Sequence, residues 1–211
     1  MKDQDRILRD SAIKLVKERL ALMKERDELL IEAIRTLDFL DETINVFSLH
    51  IEDLESAIEG SDEIVEDLKL SLEKLKKSRI KLLDFLDSET ERITPNLKSL
   101  AGPLIAARLI FAAGGIKNLA KMPSSTIQVL GAKKSLFKHL KKGTPPPKHG
   151  IISQHPLINT APKDKRGKLA RIFAGKLAIA VRIDYYSDGG RRVDLMKDLN
   201  LRISSVRGVD S

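Results

Sequence analysis

The chain has 211 residues, a formal net charge of +8 and no cysteine. The lack of cysteine excludes a disulfide framework and thiolate metal sites. No apolar run approaches the roughly 18 residues that a membrane-spanning helix needs, and residues 1–10 lack the apolar segment of a signal peptide. We therefore expect a soluble, intracellular protein with no membrane partner.

The two halves of the chain carry opposite charges. Residues 1–93 hold 24 acidic and 16 basic side chains, a charge of −8, whereas residues 94–211 hold 6 acidic and 22 basic side chains, a charge of +16. No Asp or Glu occurs between Glu91 and Asp164. A surface without acids indicates a polyanionic partner, usually nucleic acid. An anionic membrane is the less favoured alternative, because the basic half has little Trp or Tyr to anchor it.

Heptad spacing predicts an antiparallel helical hairpin in the acidic half. Apolar residues recur on one helix face over 30–58, and a second seam runs over 65–93. Gly60 is expected to end the first helix, and Ser61 is a candidate N-cap for the second. Residues 4–24 show the same helical pattern and are expected to extend the first helix.

Two helices alone leave apolar edges uncovered, which favours a protein–protein arm over a self-contained spacer. Residues 25–93 are therefore expected to mediate self-association or pairing with a related chain. The candidate dimerisation residues are Leu37, Ile44, Ile51 and Leu72. The apolar side chains expected to stay uncovered by the hairpin are Ile31, Ile34, Phe39, Leu70 and Leu83.

Helical patterns continue through the basic half. Pro95 can start a helix, and the apolar stretch 96–113 is expected to form one helix in which Gly102 allows close packing. The Gly114–Gly115 pair is a break rather than a phosphate loop, because no Lys-Ser/Thr follows it and no strand precedes it. Further helices are predicted over 131–142, 164–186 and 191–203.

Basic residues concentrate in two places in this half. The predicted helix over 131–142 offers five lysines to phosphates. The prolines at 145–147 stiffen the loop that presents Lys148 and His149, although a simple linker is an alternative interpretation of this loop. The predicted helix over 164–186 carries Lys165, Lys168, Arg171, Lys176 and Arg182.

The sequence gives little support to catalysis or metal binding. Three of the four histidines lie in the basic half at 139, 149 and 155, and only the acid-free segment surrounds them. No His-Glu-x-x-His, nucleophile elbow or paired-carboxylate motif is present. We expect no enzyme, no metal and no cofactor. The strands with exposed aromatics that a stacking platform needs are also missing, whereas a helix-turn-helix stays open.

Seven motifs follow one another through the basic half. They are Ile-Thr-Pro-Asn-Leu at 93–97, Gly-Pro-Leu-Ile-Ala-Ala-Arg-Leu-Ile at 102–110, Asn-Leu-Ala-Lys-Met-Pro-Ser-Ser-Thr-Ile at 118–127, Gly-Ala-Lys-Lys-Ser-Leu-Phe at 131–137, Pro-Pro-Pro-Lys-His-Gly at 145–150, Gln-His-Pro-Leu at 154–157 and Arg-Gly-Lys-Leu-Ala-Arg at 166–171. In content and order they resemble the Nop-domain family. The resemblance extends over roughly residues 24–200, with the hairpin matching the coiled-coil domain of that family.

The resemblance implies an all-α fold, with a coiled-coil hairpin over 1–93 and a compact helical Nop domain over 94–211. It implies an RNA-binding scaffold of a box C/D-type small ribonucleoprotein, or of the related spliceosomal branch. The partners implied are a kink-turn RNA and the small protein bound to that kink-turn. By matching position, the expected RNA contacts are Lys121, Gln128, Lys134, Lys148, His149, Arg171 and Arg182. The expected contacts to the small protein are Gly131, Ala132, Lys133 and Phe137.

Two departures from the family pattern matter. The family often has Gly-Ala-Glu-Lys where this chain has Gly-Ala-Lys-Lys, so Lys133 is expected to alter the protein contact. Methylation-guide members carry an N-terminal domain that recruits a fibrillarin-type methyltransferase, and this sequence begins almost at the coiled coil. Either the sequence is a piece of a longer protein or it belongs to a short paralogue, and the missing domain argues against recruitment of the methyltransferase. The location implied is cytoplasmic for an archaeal protein and nuclear or nucleolar for a eukaryotic one.

Two other classes of function compete with the scaffold. A basic coiled-coil protein that binds DNA or chromatin non-specifically would also explain the charge of the second half. An enzyme with an unrecognised site is the least favoured interpretation.

Overall fold

The computed structural model describes residues 2–57, 62–132, 141, 149–187 and 193–207. No strand occurs among them, which confirms the predicted all-α class. The helices are α1 (Lys2–Ala57), α2 (Asp62–Ile93), α3 (Pro95–Ala101), α4 (Pro103–Ala113), α5 (Ile116–Lys121), α6 (Ser124–Val129), a 3₁₀ turn (Ile151–Gln154), α7 (Pro156–Asn159), α8 (Lys163–Tyr186) and α9 (Val193–Arg207).

The first two helices form the predicted hairpin. Helix α1 is continuous over 56 residues, so the N-terminal segment does extend it, while Gly60 and Ser61 lie outside the described residues. Arg79 interrupts the apolar seam of α2 and forms an ion pair with Asp41 of α1. Lys69 pairs with Glu55 farther along the same two helices. The small core between the two helices contains Ile51, Val65 and Leu72, with Ile44, Phe47, Leu54 and Leu68 packed against it.

The base of the hairpin and the basic helices share one hydrophobic core. The expectation that Ile34 stays uncovered is wrong, because it is fully buried in this shared core, where α1 packs against α4. Phe39 and Leu70 are exposed as expected, at 71% and 53%. The division of the chain at residue 94 stays a prediction, and a continuous core spans that position. The members from the hairpin include Leu30, Ile34, Leu37 and Leu86, and those from the basic half include Leu97, Leu109, Phe173 and Leu177.

The helix predicted over 96–113 is broken at Gly102. This residue has φ +76°, which favours glycine, and Pro103 then occupies the first position of α4. The expected role of Gly102 in close packing is wrong, since a Cβ placed there would meet no atom within 4 Å. Positive φ, and not space, explains glycine at this position.

Arg108 of α4 connects the hairpin to the basic helices. Its two Nη atoms donate to Asp38 Oδ1 of α1 at 3.1 Å and to Gln154 Oε1 of the 3₁₀ turn at 2.7 Å. The guanidinium therefore joins three elements that are far apart in the sequence. The contact fixes how α4 is oriented relative to α1 and the 3₁₀ turn, which already pack together in the shared core.

A buried carboxylate fixes the start of α3. Asp184 of α8 is 2% exposed. Its Oδ1 accepts hydrogen bonds from Asn96 N at 3.1 Å and Asn96 Nδ2 at 2.7 Å, and its Oδ2 accepts one from Leu97 N at 2.9 Å. These backbone N–H groups belong to the first turn of a helix, which has no internal acceptors for them. Burial raises the pKa of Asp184, and the hydrogen bonds from Asn96 and Leu97 counteract part of that effect.

We predict that Asp184→Ala destabilises the fold by about 3 kcal/mol, because it leaves buried donors without an acceptor. The midpoint of urea unfolding followed by circular dichroism would measure the loss. Asp194→Ala is the matched control, since Asp194 is an exposed acid on α9, and it should change stability by less than about 0.5 kcal/mol. Equal midpoints for Asp184→Ala and the unmodified chain would contradict the role assigned to this carboxylate.

Candidate nucleic-acid interface

Helix α5 presents two lysines to solvent. Ile116, Leu119 and Ala120 are buried on one side of this helix, whereas Lys117 and Lys121 are exposed on the other. Neither lysine has an ion-pair partner within the described part of the chain. A helix of six residues is too short to be stable alone in water. Its position must therefore come from the elements that surround it.

The start of α5 is held by a carboxylate from the hairpin. Asp27 of α1 is buried, and its Oδ2 accepts a hydrogen bond from Ile116 N at 3.0 Å. Gly115 allows this approach, because a Cβ at that position would lie 2.8 Å from Asp27 Oδ2. Burial is the main cause that raises the pKa of Asp27 to about 6, with a smaller contribution from the charge of Glu28. A titratable group of the acidic half thus contacts the helix that carries Lys121.

The end of α5 is held by Arg182 of α8. Its Nε donates to the carbonyl of Ala120 at 3.1 Å, and one Nη donates to the carbonyl of Met122 at 3.1 Å. Both acceptors belong to the end of a helix, where carbonyl groups lack internal donors. Arg182 was expected to contact RNA, and in this structure its guanidinium binds backbone.

Gly131 and Gly150 lie at the two ends of the segment that holds the predicted helix over 131–142 and the proline-rich loop after it. Gly150 N donates to Gln128 O at 2.9 Å, and Ile151 N donates to Leu130 O at 2.8 Å. A Cβ at Gly150 would overlap the carbonyl of Leu130, and Gly131 has φ +84° beside the side chain of Ile151. The two ends of the segment between these glycines therefore lie side by side.

The expected contact residues fall into two groups. Lys121, Arg171 and Arg182 are exposed, while Gln128 and His149 are partly buried. Arg171 and Arg182 are 11 positions apart on α8, or roughly 16 Å at 1.5 Å per residue. Among the expected protein contacts, Gly131 is exposed and Ala132 is partly buried. The candidates outside the described residues are Lys133, Lys134, Phe137 and Lys148.

Lys176 of α8 is not an exposed cation. It was expected to continue the charge of α8, but it is 6% exposed and forms an ion pair with Asp198 of α9. Asp198 also accepts a hydrogen bond from Arg202 at 3.2 Å. The Lys176–Asp198 pair joins the last helix to α8, so Lys176 has a structural partner and is not available to phosphates.

Comparison with known proteins identifies the family. The sequence model of the Nop family, described as "snoRNA binding domain, fibrillarin", matches residues 10–205. The chain belongs to the Nop family. The resemblance drawn from the motifs is therefore confirmed.

Two Nop proteins match nearly two thirds of the chain each. An uncharacterized NOP5 family protein of Methanocaldococcus jannaschii is 50% identical over 133 residues, which is 63% of this chain and 32% of that protein. Nucleolar protein 58 of Schizosaccharomyces pombe is 41% identical over 137 residues, 65% of this chain and 25% of that protein. The chain thus spans about a third or less of these relatives.

One solved Nop structure covers nearly the whole fold. It is a crystal structure of a fibrillarin/Nop5p complex, with a TM-score of 0.76 and 34% identity, and the match covers 98% of this chain and 80% of that chain. The hairpin and the basic helices of the present chain therefore have a counterpart in one Nop protein.

The residues selected as dimerisation candidates lie inside the chain. Leu37 is fully buried, Ile51 and Leu72 are 3% and 8% exposed, and Ile44 is partly buried. Their packing stabilises the hairpin and leaves little area for a second molecule. Other apolar residues on α1 of this Nop chain are exposed, and they include Leu29, Phe39, Val46 and Leu49.

His155 of this Nop chain has structural surroundings. His155 stacks on Phe173 with ring centroids 4.6 Å apart, and its Nδ1 accepts a hydrogen bond from Leu157 N at 3.2 Å. Burial lowers the pKa of His155. Within the described ranges, no group of three His, Cys, Asp or Glu side chains is placed to hold a metal ion. None of the described helices has the length and apolar content needed to cross a membrane.

We predict that Asp27 makes stability depend on pH. The folded chain holds the Asp27 proton up to about pH 6, whereas the unfolded chain releases it near pH 3.8. Stability from this group is therefore complete below pH 4 and is lost as the pH rises towards 6. The loss is at most about 3 kcal/mol, at 1.36 kcal/mol per pKa unit, since solvent screens part of it.

The isosteric change Asp27→Asn removes this titration and keeps an acceptor for Ile116 N. Urea unfolding at pH 4 and pH 7.5 should show the variant gaining stability over the unmodified chain at the higher pH. Glu42→Gln, at an exposed position of α1, is the matched control. A difference between Asp27→Asn and the unmodified chain that is the same at both pH values would contradict the prediction.

Proposed function

We propose that this chain is an RNA-binding scaffold of a box C/D-type small ribonucleoprotein. In this proposal it recognises a kink-turn RNA together with the small protein bound to it. The observation that carries the proposal is the anchoring of α5 by Asp27 at its start and Arg182 at its end. That anchoring presents Lys117 and Lys121 from a fixed helix. Fixed cations favour a phosphate backbone of defined shape over flexible attraction to any polyanion.

Family membership and charge support the same proposal. The family model is described as a snoRNA-binding domain, and residues 92–163 contain no acid. The closed loop base at Gly131 and Gly150 lies next to the positions expected to contact the small protein. A composite site of RNA and protein would use both α5 and this loop. The scaffold role involves no catalytic chemistry by the chain, and its non-enzymatic character stays a prediction.

The expected RNA behaviour separates this proposal from non-specific binding. In gel shifts, a kink-turn RNA carrying its small protein should be bound more tightly than either component alone or a random DNA duplex. Lys121→Ala and Arg171→Ala should each weaken the ternary complex by about 1–3 kcal/mol. Each lost phosphate contact should also lower the slope of log affinity against log salt by roughly 0.7–0.9.

Lys197→Ala is the matched control for this assay. Lys197 is an exposed lysine on α9 that lies outside the expected contacts, so its removal should have little effect. Equal losses of affinity for all three variants, both on the kink-turn RNA with its small protein and on the random DNA duplex, would favour the alternative function, non-specific binding of DNA or chromatin.

We also propose two protein partners. The first is a second copy or a related chain, bound through the exposed apolar side chains of the coiled coil. The second is a fibrillarin-type methyltransferase, because the solved relative is a fibrillarin/Nop5p complex. This proposal replaces the expectation against recruitment that was based on the early start of the sequence. The proposed location is nucleolar for a eukaryotic source, since a relative is named a nucleolar protein, and cytoplasmic for an archaeal source.

Light scattering coupled to gel filtration tests both protein partners. The chain alone should have the mass of a dimer at micromolar concentration, and addition of fibrillarin should produce a larger complex. Phe39→Asp should reduce dimer formation without unfolding the hairpin, because Phe39 is 71% exposed. A monomer at every concentration would exclude the homodimer, and elution of the two proteins as separate peaks would exclude fibrillarin.

A further inference from the structure

The guanidinium of Arg182 contacts both sides of one basic residue. Its two acceptors, the carbonyls of Ala120 and Met122, flank Lys121 in the sequence, and both hydrogen bonds measure 3.1 Å. Lys121 is the last residue of α5, and the chain turns to an extended conformation at Met122 with φ −69° and ψ 140°. Arg182 therefore spans the point at which the helix ends and Lys121 leaves the backbone.

The end of α5 depends on this contact. Within α5 itself, the bond at the C-cap is from Met122 N to Leu119 O at 3.1 Å, and it leaves the next carbonyls without helical donors. The planar fork of an arginine can donate to two carbonyls at once, whereas a lysine ammonium acts as a single compact charge. The two hydrogen bonds thus depend on the planar, two-donor geometry of the guanidinium, which positive charge alone does not supply.

We propose that Arg182 is a positioning residue, whose guanidinium holds the carbonyls of Ala120 and Met122 and thereby sets where Lys121 meets its anionic ligand. This inference rests on the proposed function, since it concerns the same RNA. It differs from the expectation that Arg182 is itself a phosphate contact. A direct contact requires the charge of residue 182, whereas a positioning role requires the shape of its donors and acts through Lys121.

Substitution by lysine separates the two roles. The probe is a synthetic kink-turn RNA carrying its small kink-turn-binding protein. Under the positioning role, Arg182→Lys and Arg182→Ala should weaken binding by similar factors, on the order of tenfold, which corresponds to loss of one good contact. Under a direct phosphate contact, Arg182→Lys should keep affinity within about twofold of the unmodified chain, because lysine also binds phosphate.

A double-mutant cycle with Lys121 provides the second criterion. Residues that act through one another show non-additive losses. In a Lys121→Ala background, Arg182→Ala should therefore weaken binding by less than about twofold and should leave the salt slope unchanged. A further tenfold loss, together with a further drop in slope of roughly 0.7–0.9, would overturn the positioning role.

Arg171→Ala is the matched control, since Arg171 is an exposed arginine on the same helix. Its loss should add fully to that of Lys121→Ala. Hydrogen exchange provides a readout without RNA. The amides of α5 should exchange faster in both Arg182 variants, and their exchange rates should not change in Arg171→Ala. Unchanged α5 exchange in Arg182→Ala would also refute the positioning role. If the unmodified chain forms no complex with the probe, the proposed function fails, whereas the exchange result still tests the contact.

Discussion

The burial of α8 is the constraint on which the basic half depends. Phe173, Leu177 and Val181 are fully buried, and α8 contacts α3, α5, α6, α7 and α9. Four of these helices, α3, α5, α6 and α7, have seven residues or fewer, so their stability comes from tertiary packing and not from propensity. Polar contacts from α8 then fix their ends, with Asp184 at the start of α3 and Arg182 at the end of α5.

Two of the six acids of the basic half have buried partners. Asp184 is buried against backbone donors, and Asp198 pairs with the buried Lys176. These carboxylates satisfy internal partners and do not neutralise the exposed cations of α5 and α8. Clustering of uncompensated cations raises the local concentration of an anionic ligand. The pairing of Asp184 and Asp198 with buried partners and the exposure of Lys117, Lys121 and Arg171 both keep positive charge on the surface of the basic half.

Periodicity and punctuation residues predicted much of the fold. The heptads specified the hairpin, and the apolar stripe of α8 specified its bounds to within one residue, because both signals are local. The break at Gly102 was missed, since an apolar Ala-rich run hides a Gly-Pro boundary. The burial of Ile34 and the contacts of Asp27 and Arg182 were also missed. These depend on elements that are 60 to 89 positions apart in the sequence, which no local pattern reports.

The attachment of α5 to both halves of the chain has a consequence for function. Asp27 belongs to the acidic hairpin and Arg182 to the basic module, so the position of Lys121 depends on how the two are packed. A six-residue helix has little stability of its own, so release of either end loosens its geometry. Changes in packing at the base of the hairpin therefore alter the position of Lys121, which belongs to the basic module. Under the proposed function, the coiled coil contributes to the candidate nucleic-acid interface through this packing.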